Sequence, residues 1–396
     1  MSWSAEQAPP GNSRLRLASF YICSFAVLGV FMPFWPLWLD QQGCSKAEIA
    51  WILTAMIAAR TVAGPLWSQR ADHHGSASLL IRRLALASVV SFACYGLGSG
   101  TLWYALAGMA FGIAYPPIHA LVDSLTVAVG QRLGFRYGPV RMWGSLSFLL
   151  VNLAAGLWLG TTGGGRAHED RIASLYPLLL GMLGVAWACS LALPGQDPVR
   201  RAMDGSAILR LLRDRPFCWL LLAAGCIQGS HAAFYGYSTL HWTAHGISPG
   251  VAGALWAEGV LAEILLFLWF RKAADTWSPR ALLLVGGTGA LVRWAVLAST
   301  TSVPVLAGAQ LLHAVSFGCT HLAAIGYVGR VLPARLANTG QGLVGAMTGG
   351  LFHAIGTLLA GSLYEVQIAG MDGVASFAAM GVLAACGIVC ASRLAR

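Results

Sequence analysis

The chain repeats itself near its midpoint. The tripeptide Gly43-Cys44-Ser45 has the counterpart Gly246-Ile247-Ser248, and four further positions have counterparts at the same displacement of 203 residues. A sequence of 396 residues that restarts in this way is a duplicated unit. The repeat also sets two opposite charges at equivalent places in the two halves. The further pairs are Arg60 and Glu263, Asp72 and Asp275, Leu79 and Leu282, and Leu80 and Leu283.

The composition excludes a water-soluble globule. Hydrophobic residues make up 57% of the chain and charged residues 10%, whereas about 25% of a soluble domain is charged. A helix needs about 20 residues to cross the hydrocarbon layer, and apolar runs of that length occur six times in each half. The sequence therefore predicts an all-α membrane protein with twelve transmembrane helices in two six-helix pseudo-repeats. The predicted spans are 17–39, 47–68, 79–99, 102–127, 139–160, 174–193, 217–239, 249–271, 280–299, 302–329, 336–364 and 373–392.

The repeat and the spans predict three units. Residues 1–193 form an N-terminal six-helix bundle, and residues 217–396 form a C-terminal one. Between them, 194–216 is a polar linker in which leucines alternate with arginines over Ser206–Arg213, a pattern typical of a helix at a membrane surface.

The basic residues predict the orientation, because loops rich in lysine and arginine stay on the cytoplasmic side. Of the 25 lysines and arginines, 20 fall on the side of the N-terminus, three on the opposite side, and Arg60 and Arg293 within spans. Both termini are therefore expected in the cytoplasm, and the expected location is a bacterial inner membrane. The net charge of +10 follows from this topology. Membrane lipids are thus expected partners, and a nucleic acid is not.

Parallel repeats of apolar helices are typical of secondary transporters, whose substrate binds where the halves meet. The run Gly163-Gly164-Gly165 lacks the spacing and the lysine of a phosphate-binding loop, so ATP-driven transport is not expected. The nine cysteines show no disulfide framework or metal-ligand spacing, and we interpret them as packing residues. We expect no enzyme activity, no cofactor, no metal, a small-molecule substrate and a monomer.

Five ionisable residues lie inside the predicted spans. Each costs roughly 2.5–3.5 kcal/mol near the membrane centre unless it is paired or hydrated. They must therefore line an internal cavity or form pairs, and fixing helix register by internal ion pairs is the alternative to a functional role. The five are Arg60, Asp123, Glu258, Glu263 and Arg293.

Polar side chains also recur at helical spacing in three spans. Steps of three and four residues bring them onto one face of each helix, which is typical of a water-accessible cavity, although a single histidine can equally bind a neighbouring carbonyl. The stripes are Tyr115, His119 and Asp123 in the fourth span, Gln228, His231 and Tyr235 in the seventh, and Gln310, His313, Phe317 and His321 in the tenth.

Spacing also suggests which charges meet. Asp123 and Arg141 are 18 residues apart around a turn near Gly134, so antiparallel neighbouring spans can bring them face to face. Glu258 and Glu263 are five residues apart, or about 140° around a helix. They cannot both face a cavity squarely, and the repeat favours Glu263.

At these residues the chain resembles a known family. The matching positions look like the phenylpropionate permeases, a lactose-permease-like branch of the major facilitator superfamily. Pro65-Leu66-Trp67-Ser68-Gln69-Arg70-Ala71-Asp72 is similar to the superfamily's loop between the second and third spans, which implies a conformational role for Asp72 and its counterpart Asp275. The matching positions are Tyr137-Gly138-Pro139-Val140-Arg141-Met142-Trp143-Gly144-Ser145, then Trp256, Gly259, Val260 and Glu263, then Gln310, His313, Phe317, Gly318 and His321.

The resemblance to lactose permease is partial. Asp123 and Arg141 match its sugar-holding carboxylate and arginine, while Arg293 and His313 match an arginine and a histidine of its proton and sugar site. Gln310 stands where that permease has lysine, and Ser316 where it has its proton-handling glutamate. If this chain is proton-coupled, a residue at another position must therefore bind and release the proton.

The leading hypothesis is a proton-coupled symporter of a small organic solute, with an aromatic carboxylate such as phenylpropionate implied by the resemblance. Burial favours the neutral form of a carboxyl group and a nearby arginine favours the charged form, so movement relative to an arginine would switch the charge of Glu263. We predict Glu263 as the proton carrier, Asp123 as the second candidate and His313 as a relay. The predicted substrate contacts are Arg60, Arg141 or Arg293 for a carboxylate, Trp143, Phe148, Tyr235 and Trp256 for a ring, and His119, Asp123, Gln228, His231, Glu258, Gln310 and His321.

Two other transport functions stay open. A nucleoside or sugar symporter would use neutral hydrogen bonds from Gln228, Gln310 and the histidines, and drug efflux by proton antiport has the same sequence features. A membrane sensor lacks specific support in the sequence, and no nucleophile–base or metal-ligand spacing supports an enzyme.

Overall fold

The structure is a computed structural model that describes residues 10–74, 77–161, 165–195, 205–270, 276–368 and 370–394. Twelve of its helical segments are long and apolar enough to cross a membrane. The predicted all-α class and the twelve spans are confirmed, and no β-strand occurs within the described ranges. We number these segments as spans 1 to 12: Asn12–Gln41, Lys46–Ala71, Ala77–Gly96, Thr101–Leu133, Tyr137–Gly160, Arg166–Ser190, Arg215–Ala244, Pro249–Phe270, Pro279–Ser299, Val303–Arg330, Thr339–Leu363 and Val374–Ser392.

The observed ends differ most from the predicted ones in spans 4 and 6. Span 4 continues to Leu133, because a polar last turn that includes Arg132 remains helical beyond the apolar run. Span 6 begins with a polar helix, Arg166–Ala173, which hydropathy alone does not detect.

Six spans are uninterrupted helices and six contain a break or a change of helix type. Pro116 and Pro117 break span 4, because proline has no N–H for the helical ladder. The uninterrupted helices are Pro10–Gln41, Lys46–His74, Tyr137–Gly160, Pro249–Trp269, Pro279–Ser299 and Val374–Ser392. The others are Ala77–Ala93 with Cys94–Gly96, Thr101–Ala114 with Pro117–Leu133, Arg166–Ala173 with Leu175–Ser190, Arg215–Gly229 with Ala232–Ala244, Val303–His313 with Thr320–Arg330, and Ala334–Gly345 with Phe352–Leu363.

Spans 10 and 11 each contain one π-helical segment at the break. These segments are Ala314–Cys319 and Ala346–Leu351. A π-helical turn shifts the backbone hydrogen-bond ladder by one residue, and such turns occur frequently at functional sites.

The internal repeat has a structural signature at the first turn of each half. Gly43 follows span 1 with φ 84°, and Gly246 follows span 7 with φ 80°. Glycine adopts this left-handed conformation without the steric cost that a Cβ atom brings. Gly43 and Gly246, which are related by 203 residues in sequence, therefore form the same kind of turn in the two halves.

The linker contributes a short helix, Gly205–Arg213. Its Leu211 is buried, while Leu209 and Leu212 are exposed beside Arg210. This arrangement is that of an amphipathic helix at the edge of the bundle.

The two halves pack tightly at one end of the molecule. Because each half has an even number of spans, the helices that begin at Pro10 and end at Ser392 meet the same face, here called the termini face; the opposite face is the distal face. At the distal face, a Cβ atom on Gly156 of span 5 would lie 2.7 Å from the carbonyl oxygen of Pro249 in span 8. Tyr237 of span 7 also donates a 2.9 Å hydrogen bond to the carbonyl oxygen of Lys46 in span 2. The halves are closed against each other at the distal face.

Asn152 lies within this closed seam. It is fully buried, and neither its Oδ1 nor its Nδ2 atom has a hydrogen-bonding partner among the described residues. A Cβ atom on Gly253 of span 8 would lie 3.1 Å from the Asn152 carbonyl oxygen and 3.4 Å from its Oδ1 atom. The seam therefore holds an amide group that has been taken out of water without compensation.

Candidate functional site

One cavity, called the main cavity here because residues of both halves line it, has a volume of about 270 Å³. Aromatic and aliphatic side chains supply most of its wall, with a few polar groups among them. The lining residues are Leu28, Phe31, Met32, Trp35, Pro36, Leu53, Met56, Ile57, Arg60, Phe111, Tyr115, Pro116, His119, Ala232, Tyr235, Gly236, His353 and Thr357. Spans 1, 2 and 4 of the first half and spans 7 and 11 of the second contribute to it.

Among the described residues, Arg60 is the one arginine or lysine in the wall of this cavity. Its Nη2 atom donates a 2.6 Å hydrogen bond to the carbonyl oxygen of Gly349, in the π-helical segment of span 11. This bond joins span 2 to the other half of the molecule. A guanidinium carries five N–H donors, more than one carbonyl oxygen can accept. Arg60 can therefore bind an anion in the cavity.

A smaller cavity of about 100 Å³ adjoins the first one. The two cavities share Met32 and Tyr235 in their walls. The other residues of the smaller cavity are Phe148, Phe234, Trp256, Gly259, Val260, Glu263 and His313. The repeat-related residues Arg60 and Glu263 thus border neighbouring cavities that share Tyr235.

Glu263 belongs to a chain of polar contacts that runs into the second half. Its Oε2 atom lies 3.5 Å from Nε2 of His313, whose Nδ1 atom lies 3.0 Å from Nη1 of Arg293. Arg293 is fully buried, and its Nη2 atom donates a 2.6 Å hydrogen bond to Oε1 of Gln310. A guanidinium only donates, so Nδ1 of His313 must accept and a neutral imidazole carries its proton on Nε2. That proton points toward Glu263.

The wall behind this chain is held by further hydrogen bonds. Nε1 of Trp256 donates to Oγ of Ser238 at 3.1 Å, and the Trp256 ring stacks on Phe234 with the centroids 4.4 Å apart. Nε2 of His231 lies 3.0 Å from Oγ of Ser316. These contacts fix the aromatic rings that line the smaller cavity.

Gln228 also supports span 10. Its Nε2 atom donates a 3.2 Å hydrogen bond to the carbonyl oxygen of Phe317, in the π-helical segment of that span. Each of the two π-helical segments therefore has one carbonyl oxygen bound by a side chain of another span.

Asp123 and Arg141 form a second charged cluster, in the first half. Nε of Arg141 lies 3.7 Å from Oδ1 of Asp123, as the spacing around the turn predicts. The Tyr21 hydroxyl donates a 2.6 Å hydrogen bond to the same carboxylate oxygen. The Arg141 guanidinium lies over the Phe25 ring, 4.0 Å from its centroid, and donates to Ser145. Neither member of this ion pair lines either cavity.

The predicted residues lie in the cavity walls, directly behind those walls, or away from both cavities. The cavity walls contain Arg60, His119, Phe148, Tyr235, Trp256, Glu263 and His313. The side chains that pack behind these walls are Gln228, His231, Arg293, Gln310 and His321, the last stacked on Phe317 with the centroids 5.9 Å apart.

Some predicted residues are not brought to the cavities. Trp143 has an exposed fraction of 45%, and neither it nor Glu258 lines either of the two cavities described above. The side chain of Asp72 and the whole of Asp275 lie outside the described residues.

Sequence reasoning missed His353 in span 11. Its ring lies 5.5 Å from that of Tyr235, and it lines the main cavity together with Arg60. The available signal was a histidine in an apolar span, which is itself an indication of function. The polar neighbour of His353 at helical spacing is Thr357, four residues later in the same cavity wall, and this pair is shorter than the stripes of three or four residues in spans 4, 7 and 10. Within the described ranges, no three metal-ligating side chains are grouped so as to hold a metal ion.

Comparison with known proteins gives consistent matches over most of the chain. The profile of the family described as the MFS_1 like family matches residues 14–371. The chain is 30% identical over 354 residues to the "Probable 3-phenylpropionic acid transporter" of Escherichia coli (strain K12), covering 88% of this chain and 90% of that protein. It is 28% identical to the "Maltose permease" of Geobacillus stearothermophilus over 87% of this chain and 86% of that protein. The solved structure of the nucleoside transporter NupG (D323A mutant) aligns with a TM-score of 0.79 at 15% identity, covering 96% of this chain and 98% of that one.

Proposed function

The chain belongs to the MFS_1 like family, and on that premise we propose that it is a proton-coupled symporter that imports a small aromatic carboxylate by alternating access. The family and the twelve apolar spans make it a multi-pass membrane protein whose relatives are transporters. The proposal adds the substrate class and the coupling ion.

The observation that carries the substrate class is the position of the Arg60 guanidinium in an aromatic cavity wall. An anion that leaves water needs a charged, hydrogen-bonding partner, and Arg60 offers one. The remaining wall includes Phe31, Trp35, Phe111 and Tyr235, whose rings favour a flat apolar group. A molecule with one carboxylate and one aromatic ring meets both demands. The name of the Escherichia coli relative supports the same class.

The size and polarity of the cavity argue against larger or more polar substrates. Its volume of about 270 Å³ falls just below the range of roughly 300–1,000 Å³ that is usual for drug-sized ligands. A sugar or nucleoside would bury several hydroxyl groups, and each would lose free energy without a partner. Twelve of the eighteen lining residues have aromatic or aliphatic side chains without a hydroxyl or ionisable group, or no side chain, so much of the wall offers those hydroxyl groups no partner. We therefore rank a sugar or nucleoside substrate second.

For the coupling ion we propose that Glu263 carries the proton and His313 relays it. The Nε2 proton of a neutral His313 faces Glu263, so His313 can pass that proton to the carboxylate when its Nδ1 atom separates from Arg293 and takes up another proton. Binding of a substrate anion at Arg60 and of a proton at Glu263 would leave both charged groups neutralised. When both side chains are neutralised, the two halves can close around them without burying an uncompensated charge, which lowers the electrostatic cost of the conformational change. Asp123, which is held by Arg141 and Tyr21, is the second candidate.

The substrate class is tested by uptake of radiolabelled 3-phenylpropionate into proteoliposomes, with competitors added outside. We expect phenylpropionate to compete and its alcohol analogue, 3-phenylpropanol, to fail, because the alcohol has no charge for Arg60. Arg60→Gln should weaken substrate affinity by about 1.5–3 kcal/mol, the value of a charged hydrogen bond, or roughly 10- to 140-fold. Arg132→Gln, at the exposed end of span 4, is the matched control. Equal competition by a nucleoside or a sugar would contradict the proposal.

The proton site is tested with two glutamates of the same span. Glu263→Gln should abolish the response of uptake to an imposed pH gradient, whereas Glu258→Gln should keep it. Both variants remove one charge from span 8, but of the two residues Glu263 alone lines the smaller cavity. Retained pH-driven uptake in Glu263→Gln would exclude Glu263 as the carrier and move Asp123 ahead.

We also propose that the protein works as a monomer, without a cofactor, in a bacterial inner membrane with both termini in the cytoplasm. Import then runs from the distal face to the termini face. Labelling of a cysteine introduced at Gln42, on the distal side of span 1, by an impermeant maleimide in intact cells should succeed if this orientation is right.

A further inference from the structure

Two cysteines from distant parts of the chain lie in contact. Sγ of Cys23, in span 1, is 3.3 Å from Sγ of Cys189, near the end of span 6. The two residues are 166 positions apart in sequence, so a search for closely spaced cysteine motifs does not detect them. Both side chains are half-buried, and neither lines the cavities used for transport.

The internal repeat provides further thiols on the equivalent helices, spans 7 and 12, although Ser392 stands at the exact counterpart of Cys189. Cys226 is displaced from Cys23 by the repeat distance of 203, and each lies eleven residues after the first residue of its span. Cys390 lies two residues before the end of span 12, as Cys189 lies one residue before the end of span 6. Cys226 faces span 12, because a Cβ atom on Gly387 would lie 3.2 Å from its Cβ atom. Each half thus carries thiols on its first and its last span.

Packing alone does not require this arrangement. A small apolar residue would fill either position, and a cysteine usually differs from such a residue in its reactivity. Two sulfur atoms at 3.3 Å need to approach by only about 1.3 Å to reach the 2.05 Å of a disulfide bond. Rotation about the Cα–Cβ bonds provides movement of that size.

We propose that Cys23 and Cys189 form a redox-active dithiol that a lipid-soluble quinone oxidises to a disulfide joining span 1 to span 6. The two thiols lose two protons and two electrons as the S–S bond forms, and the quinone takes them up to become a hydroquinone. A thiol reductant reverses the reaction by thiol–disulfide exchange. Both residues lie inside membrane spans, where a lipid-soluble oxidant reaches them.

The bond would restrain one helix without joining the halves. Span 1 carries Leu28, Phe31 and Met32 into the wall of the main cavity, and Cys23 lies on the same helix. Spans 1 and 6 belong to the same half, so oxidation ties span 1 to its own bundle and leaves the closed seam at the distal face untouched. Formation of this disulfide bond is independent of which substrate the protein carries, because neither cysteine lines the two cavities.

The test is peptide mapping of the purified protein in lipid nanodiscs after exposure to a short-chain benzoquinone. Free thiols are blocked with iodoacetamide, and the digest is analysed by mass spectrometry without reduction. We expect a cross-linked peptide pair that contains Cys23 and Cys189 and that disappears after treatment with dithiothreitol. Cys23→Ser and Cys189→Ser should each abolish it, while Cys319→Ser, a buried cysteine of span 10, should leave it unchanged.

A second measurement does not involve oxidation. Phenylarsine oxide releases water when its arsenic binds two neighbouring thiols, so it should protect Cys23 and Cys189 of the wild-type protein together from alkylation by a maleimide. The protection of either cysteine should be lost when the other is replaced by serine. Recovery of both residues as freely alkylated thiols after benzoquinone treatment, or unchanged arsenical protection in the single variants, would overturn the proposal.

Discussion

Replacing Asn152 by leucine is expected to hold the two halves together at the distal face. Asn152 lies in the seam between spans 5 and 8, where both polar atoms of its side chain are buried and neither is bound by a described residue. When the distal face opens, water reaches the seam and can bind the amide. Leucine has a similar branched shape and no polar atom, so it removes a cost that exists only in the closed state.

The size of the effect follows from the two unpartnered atoms. A buried group without a hydrogen bond costs about 1–3 kcal/mol, so the donor and the acceptor of Asn152 together cost at least about 2 kcal/mol. Removing that cost favours the distal-closed state by the same amount, which is roughly 30-fold in the ratio of closed to open molecules. Exposure of the leucine side chain in the open state adds to the effect in the same direction.

The assay is double electron–electron resonance between spin labels attached to noncanonical residues at Gln42 and Ala244, so that the native cysteines stay in place. These positions are exposed at the distal ends of spans 1 and 7. Asn152→Leu should deplete the population with the long inter-label distance, and substrate uptake should slow. An unchanged or larger open population would refute the reasoning, because it would show that the amide is satisfied in the closed state or that leucine does not fit.

Three further predictions concern separate parts of the molecule. Gly156→Ala should shift the same label distances toward the open state, because its Cβ atom would meet the backbone of span 8. Gly43→Ala should lower the free energy of unfolding by about 1–2 kcal/mol, measured by thermal denaturation in detergent, because an alanine is strained at φ 84°. Cys44 should resist alkylation at pH 8, as followed by mass spectrometry, because burial raises its pKa to about 11 and leaves little thiolate below that pH.

The fold could be predicted because its signals are local. Each span is a continuous apolar segment, and the displacement of 203 residues relates the halves without any knowledge of packing. The positive-φ glycines Gly43 and Gly246 show that the sequence repeat is also a structural one. The polar helix Arg166–Ala173 escaped prediction because it has no apolar run to mark it.

The site was less predictable because it depends on contacts between distant spans. Helical periodicity indicated that His313 faces inward and the internal repeat favoured Glu263, but neither could show that Arg293 binds the far side of the imidazole. Trp143 shows that closeness in sequence to a charged residue does not predict a shared position in the site. It lies two residues after Arg141, or about 200° around the helix, so the two side chains point in nearly opposite directions. The contact of Arg60 with Gly349 joins residues 289 positions apart, and no pattern along the chain reports it.

The equivalence of Arg60 and Glu263 also determines how the membrane potential acts on them. Each lies 17 residues beyond the glycine that begins its hairpin, Gly43 or Gly246, and hence about 25 Å along a helix from the distal face. The axis that relates such parallel repeats runs along the membrane normal, so the two charges lie at one depth and their dipole lies in the plane of the bilayer. The electric field is perpendicular to that plane and supplies about 2.3 kcal/mol per charge only across the full thickness at 100 mV. Transfer of charge between these two positions is therefore electrically silent, and the voltage acts only on steps that carry charge toward either face.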